Sequence, residues 1–89
     1  MNLTKAIQRK SENVLITNLG DELVMMHLET GNYITLNNLA RVIWEKIENP
    51  VTADELIAYL LSKYNVSETQ CKHETYKFLD SLQAQGLLL

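Results

Sequence analysis

The stretch "LETGNYITLNNLARVIWEKI", residues 28–47, contains the change from strand to helix that decides the fold. Gly31 lies where a tight turn needs a positive φ, and the residues after it alternate in polarity up to Leu36. Asn37 or Asn38 can serve as an N-cap, and apolar residues then recur at the spacing of an amphipathic helix. The stretch therefore predicts a short strand followed at once by a helix.

Two further strands are predicted upstream. The segments "VLITN", residues 14–18, and "LVMMHL", residues 23–28, are rich in β-branched and aliphatic residues, and the glycine-bearing turn "LGDE" separates them. Together with the strand at residues 32–36 they form an antiparallel meander whose first and third strands are edges. A sheet of this size needs a packing partner in water, so we expect the helices to cover one of its faces.

Two more helices are predicted downstream. The segment "VTADELIAYLLSKY" opens with a capping box formed by Thr52 and Glu55, and "VSETQ" repeats this device with Ser67 and Gln70. Gly86 supplies the left-handed stop of the third helix. The predicted fold class is therefore α+β: a small three-stranded antiparallel sheet followed by three helices, arranged as in a winged helix-turn-helix domain.

The predicted core joins the sheet to the helices. Ile34 and Leu36 point inward from the third strand, toward Trp44 of the first helix and an apolar stripe on the third. This stripe consists of Cys71, Phe78 and Leu82. Residues 13–89 form this single domain, and the polar segment 1–12 is predicted to be a flexible N-terminal arm.

The composition limits which kinds of partner the protein can bind. The chain of 89 residues has a formal net charge of -3, with 8 Lys and Arg against 11 Asp and Glu, so no overall positive field attracts DNA or RNA. No apolar run approaches the roughly 18 residues of a membrane span, and residues 1–10 lack the apolar region of a signal peptide. We therefore expect a cytoplasmic protein whose partners are proteins, peptides or neutral ligands, with no nucleic acid and no membrane.

Residues suited to catalysis or metal binding are scarce. His27 and His73 lie on separate elements, and neither has a cysteine or carboxylate nearby at metal-ligand spacing. Cys71 has no second cysteine to pair with, and burial is the more common role for such a residue. The isolated glycines form no phosphate-binding loop. We therefore predict a protein that is not an enzyme, with no catalytic residues, no cofactor and no metal site.

The outer flank of the third helix, beside the open third strand, is the candidate binding surface. Tyr76 and Leu79 fall next to the core stripe, and Lys72 and Gln83 extend the same row at helical spacing. Tyr76 and Leu79 either complete the core or line a groove beside the strand. In the second interpretation an extended peptide pairs with the strand and inserts alternate side chains into the groove.

An ordered set of motifs runs through most of the chain. The stretch "GDELVMMHLETGNYITLNNLARVIWEKI" contains a Gly-Asp-Glu turn, an aliphatic strand, "ETG", an aromatic strand, and "LN" before a helix containing "IW". The set continues through "VTADELIAYLLSKYNVS" to "FLDSLQAQGLLL", covers about residues 14–89 and resembles the PqqD-like family. The resemblance implies a RiPP recognition element, a small winged-helix-like domain that captures the leader segment of a ribosomally made precursor peptide and hands it to modifying enzymes.

The resemblance also implies a site without catalysis. In that family the leader adds as a further strand on the third strand and packs against the third helix. By position, the peptide-binding residues are Tyr33, Ile34, Thr35 and Leu36 on the strand and Lys72, Thr75, Tyr76 and Leu79 on the helix, with Gln83 added from the groove row.

Two departures from the family pattern refine this expectation. Thr75 stands where these proteins often carry an aliphatic residue, and "MMHLETG" lacks the Pro-Glu-Gly-like stretch of the quinone-cofactor branch. We therefore favour a stand-alone recognition protein like those of lasso-peptide clusters, which serves a separate leader peptidase. A radical-enzyme partner, as in sactipeptide pathways, stays open.

Two alternatives from other classes also stay open. A winged-helix fold suits a DNA-binding regulator, although the third helix mixes Glu68, Glu74 and Asp80 with Lys72 and Lys77. The other alternative is an assembly adaptor that pairs its edge strand with a second copy of itself. We expect a monomer or a weak homodimer.

Overall fold

The computed structural model describes residues 5–10 and 12–89, which form five strands and three helices. In chain order they are β1 Ala6–Ile7, β2 Val14–Leu19, β3 Glu22–His27, β4 Tyr33–Leu36, α1 Asn38–Lys46, β5 Val51–Thr52, α2 Ala53–Lys63 and α3 Glu68–Ala84. The predicted α+β class, with a three-stranded antiparallel sheet and three helices, is confirmed. The three predicted strands differ from β2, β3 and β4 only at their ends, and β1 and β5 are additional.

The main sheet consists of β2, β3 and β4 in that order, all antiparallel. Leu23 pairs with Leu36 and Met26 pairs with Tyr33, so the register places Ile34 and Leu36 on the same face. Gly31 forms the β3–β4 turn with a φ of 76°, the left-handed conformation that the sequence predicts. Among the described residues, β2 and β4 are therefore the edges of this sheet, as predicted.

Each helix begins at a side-chain cap. The Asn37 side chain accepts a hydrogen bond from a backbone N–H in the first turn of α1. Thr52 and Glu55 form the complete capping box of α2, in which the Thr52 N–H donates to the Glu55 carboxylate and lowers its pKa. Ser67 accepts from the Gln70 N–H at 3.1 Å to begin α3. These local signals explain why the three helices begin where the sequence predicts.

The helices cover one face of the main sheet, and one cluster of buried apolar side chains lies between the two layers. Leu36 and Trp44 belong to this cluster, and Ile34 packs against it while half-buried. The predicted stripe of α3 is confirmed, since Cys71, Phe78 and Leu82 are all buried. Each large apolar side chain contributes about 1.5–3 kcal/mol when buried, so a domain this short depends on each of them.

The segment before β2 differs from the flexible arm predicted for residues 1–12. Residues 5–10 lie against the helical part of the domain: β1 pairs with β5 in antiparallel register, and Ile7 is buried. Residues 1–4 and 11 lie outside the described residues. A strand of two residues is too short to show a periodicity, so no local pattern predicts this pairing.

The two terminal segments also contact each other. Arg9 forms an isolated bridge with Leu88, and its guanidinium carbon lies 4.8 Å from the centre of the Trp44 ring. Gly86 has a φ of 72° and ends α3, as predicted, so that the chain reverses and buries Leu87. These contacts hold residues near both ends of the chain against α1.

Candidate functional site

The outer edge of β4 carries backbone groups that no described strand pairs. The His27 N–H donates to the Asn32 carbonyl at 2.8 Å, and hydrogen-bonded pairs alternate along an antiparallel ladder. In the β3–β4 register the next bonded residue of β4 is therefore Ile34. The N–H and C=O groups of Tyr33 and Thr35 point away from β3, and each of these residues offers one donor and one acceptor to an added strand.

A cleft of about 230 Å³ lies beside this edge, between β4, the start of α1 and one face of α3. Its apolar lining consists of Ile34, Leu39, Ala40, Ile43 and Phe78, and its polar lining consists of Thr35, Asn37, Glu74, Lys77 and Ser81. Alternate side chains of a strand point to opposite faces, so a strand added to β4 would direct every second side chain toward this cleft.

The cleft has an apolar floor and a charged rim. Ile43 is fully buried and Phe78 is 8% exposed, so both belong to the core as well as to the floor. Glu74 is half-buried and Lys77 is exposed on the rim that α3 forms. This arrangement suits an extended chain that inserts an apolar side chain and keeps its polar groups near water.

The geometry of α3 explains why these four residues line the cleft together. Successive residues of an α-helix are rotated by about 100°, so Glu74, Lys77, Phe78 and Ser81 share one face. The same rotation places Tyr76 almost opposite Glu74. Phe78 lies where the cleft face meets the core stripe and contributes to both.

The four residues predicted on the strand occupy different positions. Ile34 and Thr35 line the cleft, and Leu36 is buried in the core below it. Tyr33 is 66% exposed and lies on the face of the main sheet that the helices leave open. β4 therefore lines the cleft with Ile34 and Thr35 and also presents the open backbone edge.

The five residues predicted on the helix do not line the cleft. Thr75 and Leu79 have no exposed surface, so as placed they have no surface with which to contact a bound peptide. Tyr76 is half-buried, and Lys72 and Gln83 are exposed, all on the flank of the core stripe away from the cleft. Of the two interpretations of Tyr76 and Leu79, the structure supports completion of the core.

Three polar residues of α3 that were not among the predicted peptide-binding residues line the cleft: Glu74, Lys77 and Ser81. They recur at i, i+3 and i+7, as Tyr76, Leu79 and Gln83 of the predicted row do. A polar row at this spacing is usually a solvated face, and only its position beside β4 distinguishes it. The helical spacing of this polar row is visible in the sequence, but the spacing does not indicate which flank of α3 faces β4.

Groups with catalytic or metal-binding potential lie apart from one another. His27 is buried, with its Nδ1 accepting from the Glu29 N–H at 3.3 Å, and Cys71 is buried in the core. No group of three or more His, Cys, Asp or Glu side chains that could hold a metal ion occurs among residues 5–10 and 12–89. Within the same described ranges, no helix is both long and apolar enough to cross a bilayer.

Comparison with known proteins gives one family and two similar structures. Residues 22–88 match the family model described as coenzyme PQQ synthesis protein D, PqqD. The structure of TbiB1 in complex with the TbiA(beta) leader peptide has 27% sequence identity and a TM-score of 0.69, over 91% of this chain and 94% of that one. No curated protein matches the sequence.

The second similar structure is lasso peptide synthetase B1 complexed with the leader peptide. It has 19% sequence identity and a TM-score of 0.71, over 93% of this chain and 96% of that one, and at this identity the likeness shows the fold alone. The family model covers about three quarters of the chain, from the start of β3 to residue 88. The chain therefore belongs to the PqqD family.

Proposed function

We propose that this domain binds the leader segment of a ribosomally synthesised precursor peptide and delivers it to modifying enzymes or a leader peptidase, without catalysing a reaction itself. The observation that carries the proposal is the open edge of β4 beside an apolar cleft. Tyr33 and Thr35 offer backbone donors and acceptors there, and Ile34 and Phe78 line the adjoining cleft. The leader would add as a fourth strand on the main sheet.

The two parts of this site make different contributions to binding. Backbone hydrogen bonds along β4 hold any extended peptide and carry little sequence information, whereas the cleft selects the side chains that enter it. A cleft of about 230 Å³ has room for one or two side chains rather than for a folded partner. The geometry therefore favours a short extended peptide as the ligand.

The similarity to TbiB1 supports the same conclusion. That protein was solved with a leader peptide, and it shares 27% of its residues with this chain over nearly the full length of both. As partners we propose a precursor leader and, as in lasso-peptide clusters, a separate leader peptidase, in the cytoplasm where precursor peptides are made. A DNA-binding role has no comparable support, because the cleft face of α3 carries Glu74 and Ser81 beside Lys77.

Amide chemical shifts test the proposal directly. The uniformly ¹⁵N-labelled protein is titrated with the leader of a precursor encoded beside it. We expect the largest shift changes at Tyr33 and Thr35 on β4 and at the cleft residues Lys77 and Phe78 of α3. If β4 and α3 keep their shifts at saturating leader, the proposal is wrong.

A pair of proline variants tests the strand edge. Thr35→Pro removes an N–H that faces the ligand, so the loss of a hydrogen bond worth about 0.5–1.5 kcal/mol and the steric clash of the ring should weaken binding roughly tenfold or more. Ile16→Pro is the matched control, because the alternation of the ladder places the Ile16 N–H on the opposite open edge, that of β2. Equal loss of affinity in both variants would contradict addition at β4.

The free protein is proposed to be a monomer or a weak homodimer. The edge of β4 that accepts a leader also suits a second copy of the chain, so the two would compete. Sizing over a range of protein concentrations, with and without leader, separates these outcomes. A dimer that persists at saturating leader would place the self-association elsewhere.

A further inference from the structure

The rim of the cleft carries two opposite charges that have no partner within the described residues. Lys72 and Glu68, on another face of α3, form an ion pair at 3.7 Å. Glu74 and Lys77 line the cleft one turn apart, yet neither the Glu74 carboxylate nor the Lys77 ammonium group forms an ion pair or a hydrogen bond with any residue in 5–10 and 12–89. The rim therefore has free charge at the point where a peptide would enter.

The two charges differ in how much water surrounds them. Glu74 is half-buried, whereas Lys77 is exposed on a long flexible side chain. A peptide seated in the cleft removes further water from the Glu74 carboxylate, and a carboxylate that loses water without gaining a partner is costly. The Lys77 ammonium can turn outward and remain hydrated. The bound peptide must therefore supply a partner for the Glu74 carboxylate.

We infer that Glu74 is a specificity-determining residue, which selects leaders with a Lys or Arg side chain at an inward-facing position beside the apolar side chain that fills the cleft. This inference rests on the proposed function and deepens it. It names the chemical class of the ligand as an extended peptide with one basic and one large apolar residue on the same face. The guanidinium or ammonium group would donate hydrogen bonds to the Glu74 carboxylate.

Helix and strand geometry set the spacing of these two ligand residues. Glu74 and Phe78 are four residues apart on α3, a rise of about 6 Å at 1.5 Å per residue. Residues on the same face of an extended peptide are two apart, a rise of about 6.6 Å. A peptide that runs along α3 would therefore carry its basic and apolar residues two positions apart.

Lys77 limits the selection to a single basic residue. Its positive charge is one helical turn from Glu74, so the rim has no net charge. A second inward-facing cation would approach Lys77 and be repelled, whereas an acidic residue would be attracted. The selection is thus for one basic residue at one position, rather than for a positively charged peptide in general.

A displayed library of random 14-residue peptides provides the probe, since no particular leader is required. The whole chain is used as bait in four forms: unaltered, Glu74→Gln, Glu74→Lys and Asp80→Asn. Asp80 is an exposed carboxylate of α3 outside the cleft and serves as the matched control. Binding at β4 is verified for each selected peptide by its loss with the Thr35→Pro variant.

We expect the unaltered chain and Asp80→Asn to enrich Lys or Arg two positions from a large apolar residue. Glu74→Gln should lose this enrichment, and Glu74→Lys should enrich Asp or Glu at the same position. For one selected peptide, replacing its basic residue with Gln should weaken binding to the unaltered chain about tenfold, the equivalent of about 1.4 kcal/mol, and leave binding to Glu74→Gln unchanged.

The failure of this inference and the failure of the proposed function give different results. Peptides that depend on Thr35 but carry Lys, Gln and Glu equally at every position would overturn the role of Glu74 and leave peptide binding at β4 intact. The same enrichment of Lys or Arg with Glu74→Gln as with the unaltered chain would also overturn it. If no selected peptide depends on Thr35, both the inference and the proposed function are wrong.

Discussion

Two faces of α3 use the same residue spacing for different purposes. The core face, formed by Cys71, Thr75, Leu79 and Leu82, has no exposed surface at any of these positions. The cleft face, formed by Glu74, Lys77, Phe78 and Ser81, lies beside the open strand β4. Since only Phe78 contributes to both surfaces, stability and ligand binding can be altered separately by substitutions in one helix.

The largest expected effect is on the core face. Leu79→Ala removes a fully buried side chain, so we expect the free energy of unfolding to fall by about 2–5 kcal/mol. Urea denaturation followed by far-UV circular dichroism measures the change. In the fraction that remains folded, the affinity for leader should stay close to that of the unaltered chain, because Leu79 does not reach the cleft.

Gln83→Ala is the control for this substitution. Gln83 is exposed on the same helix, one turn further on, and surface substitutions usually change stability by about 0.5 kcal/mol or less. A similar loss of stability in both variants would mean that α3 as a whole, rather than the burial of Leu79, is sensitive to truncation.

Tyr76→Ala tests the flank of the core stripe that faces away from the cleft. Tyr76 is half-buried and packs against the core, so its truncation should lower the free energy of unfolding by about 1–2 kcal/mol, less than the full cost of removing a buried aromatic side chain. Leader affinity, measured by calorimetry below the unfolding transition, should change by roughly 0.5 kcal/mol or less. A larger loss of affinity would place the peptide on the opposite flank of α3.

The sequence alone does not show which of the two flanks of the α3 core stripe faces β4. The apolar stripe of α3 follows from its periodicity, and Cys71, Phe78 and Leu82 are buried as predicted. The flank that faces β4 is set by how the helix is rotated and inclined on the sheet, which depends on contacts with α1 and α2 rather than on the sequence of α3 itself. Tyr76 and Lys77 therefore lie on opposite flanks of the same stripe, and only the structure shows that Lys77, rather than Tyr76, lines the cleft beside β4.

Local signals predicted the fold more completely than the site. The caps at Asn37, Thr52 and Ser67 and the turn at Gly31 each involve residues within one helical turn or one hairpin, and all lie where the sequence places them. The β1–β5 pairing joins residues far apart in the chain through strands of two residues each. Such a pairing has no local pattern, so residues 5–10 could not be assigned from the sequence.

Thr75→Val is a second substitution on the core face, and we expect it to raise the free energy of unfolding, by less than Leu79→Ala lowers it. The Thr75 hydroxyl is buried and has no hydrogen-bond partner among the described residues, an arrangement that costs free energy. Valine has nearly the same shape and a similar helix propensity, so we expect a gain of about 1 kcal/mol in the free energy of unfolding. Thr69→Val, at an exposed position of α3, is the control and should give no such gain. A loss of stability in Thr75→Val would show that the hydroxyl is satisfied in solution.

The smallest expected effects come from alanine substitutions of two lysines of α3, which should differ in whether leader affinity changes. Lys72 pairs with Glu68 in an exposed i, i+4 arrangement, so Lys72→Ala should cost roughly 0.5 kcal/mol or less in stability and leave leader affinity unchanged. Lys77→Ala removes a side chain from the cleft rim and should change the affinity for leaders in proportion to the acidic residues they place there. Calorimetric titration of both variants with one leader makes the comparison. If Lys72→Ala weakens binding and Lys77→Ala does not, the peptide contacts the flank of Tyr76, and the cleft beside β4 is not its site.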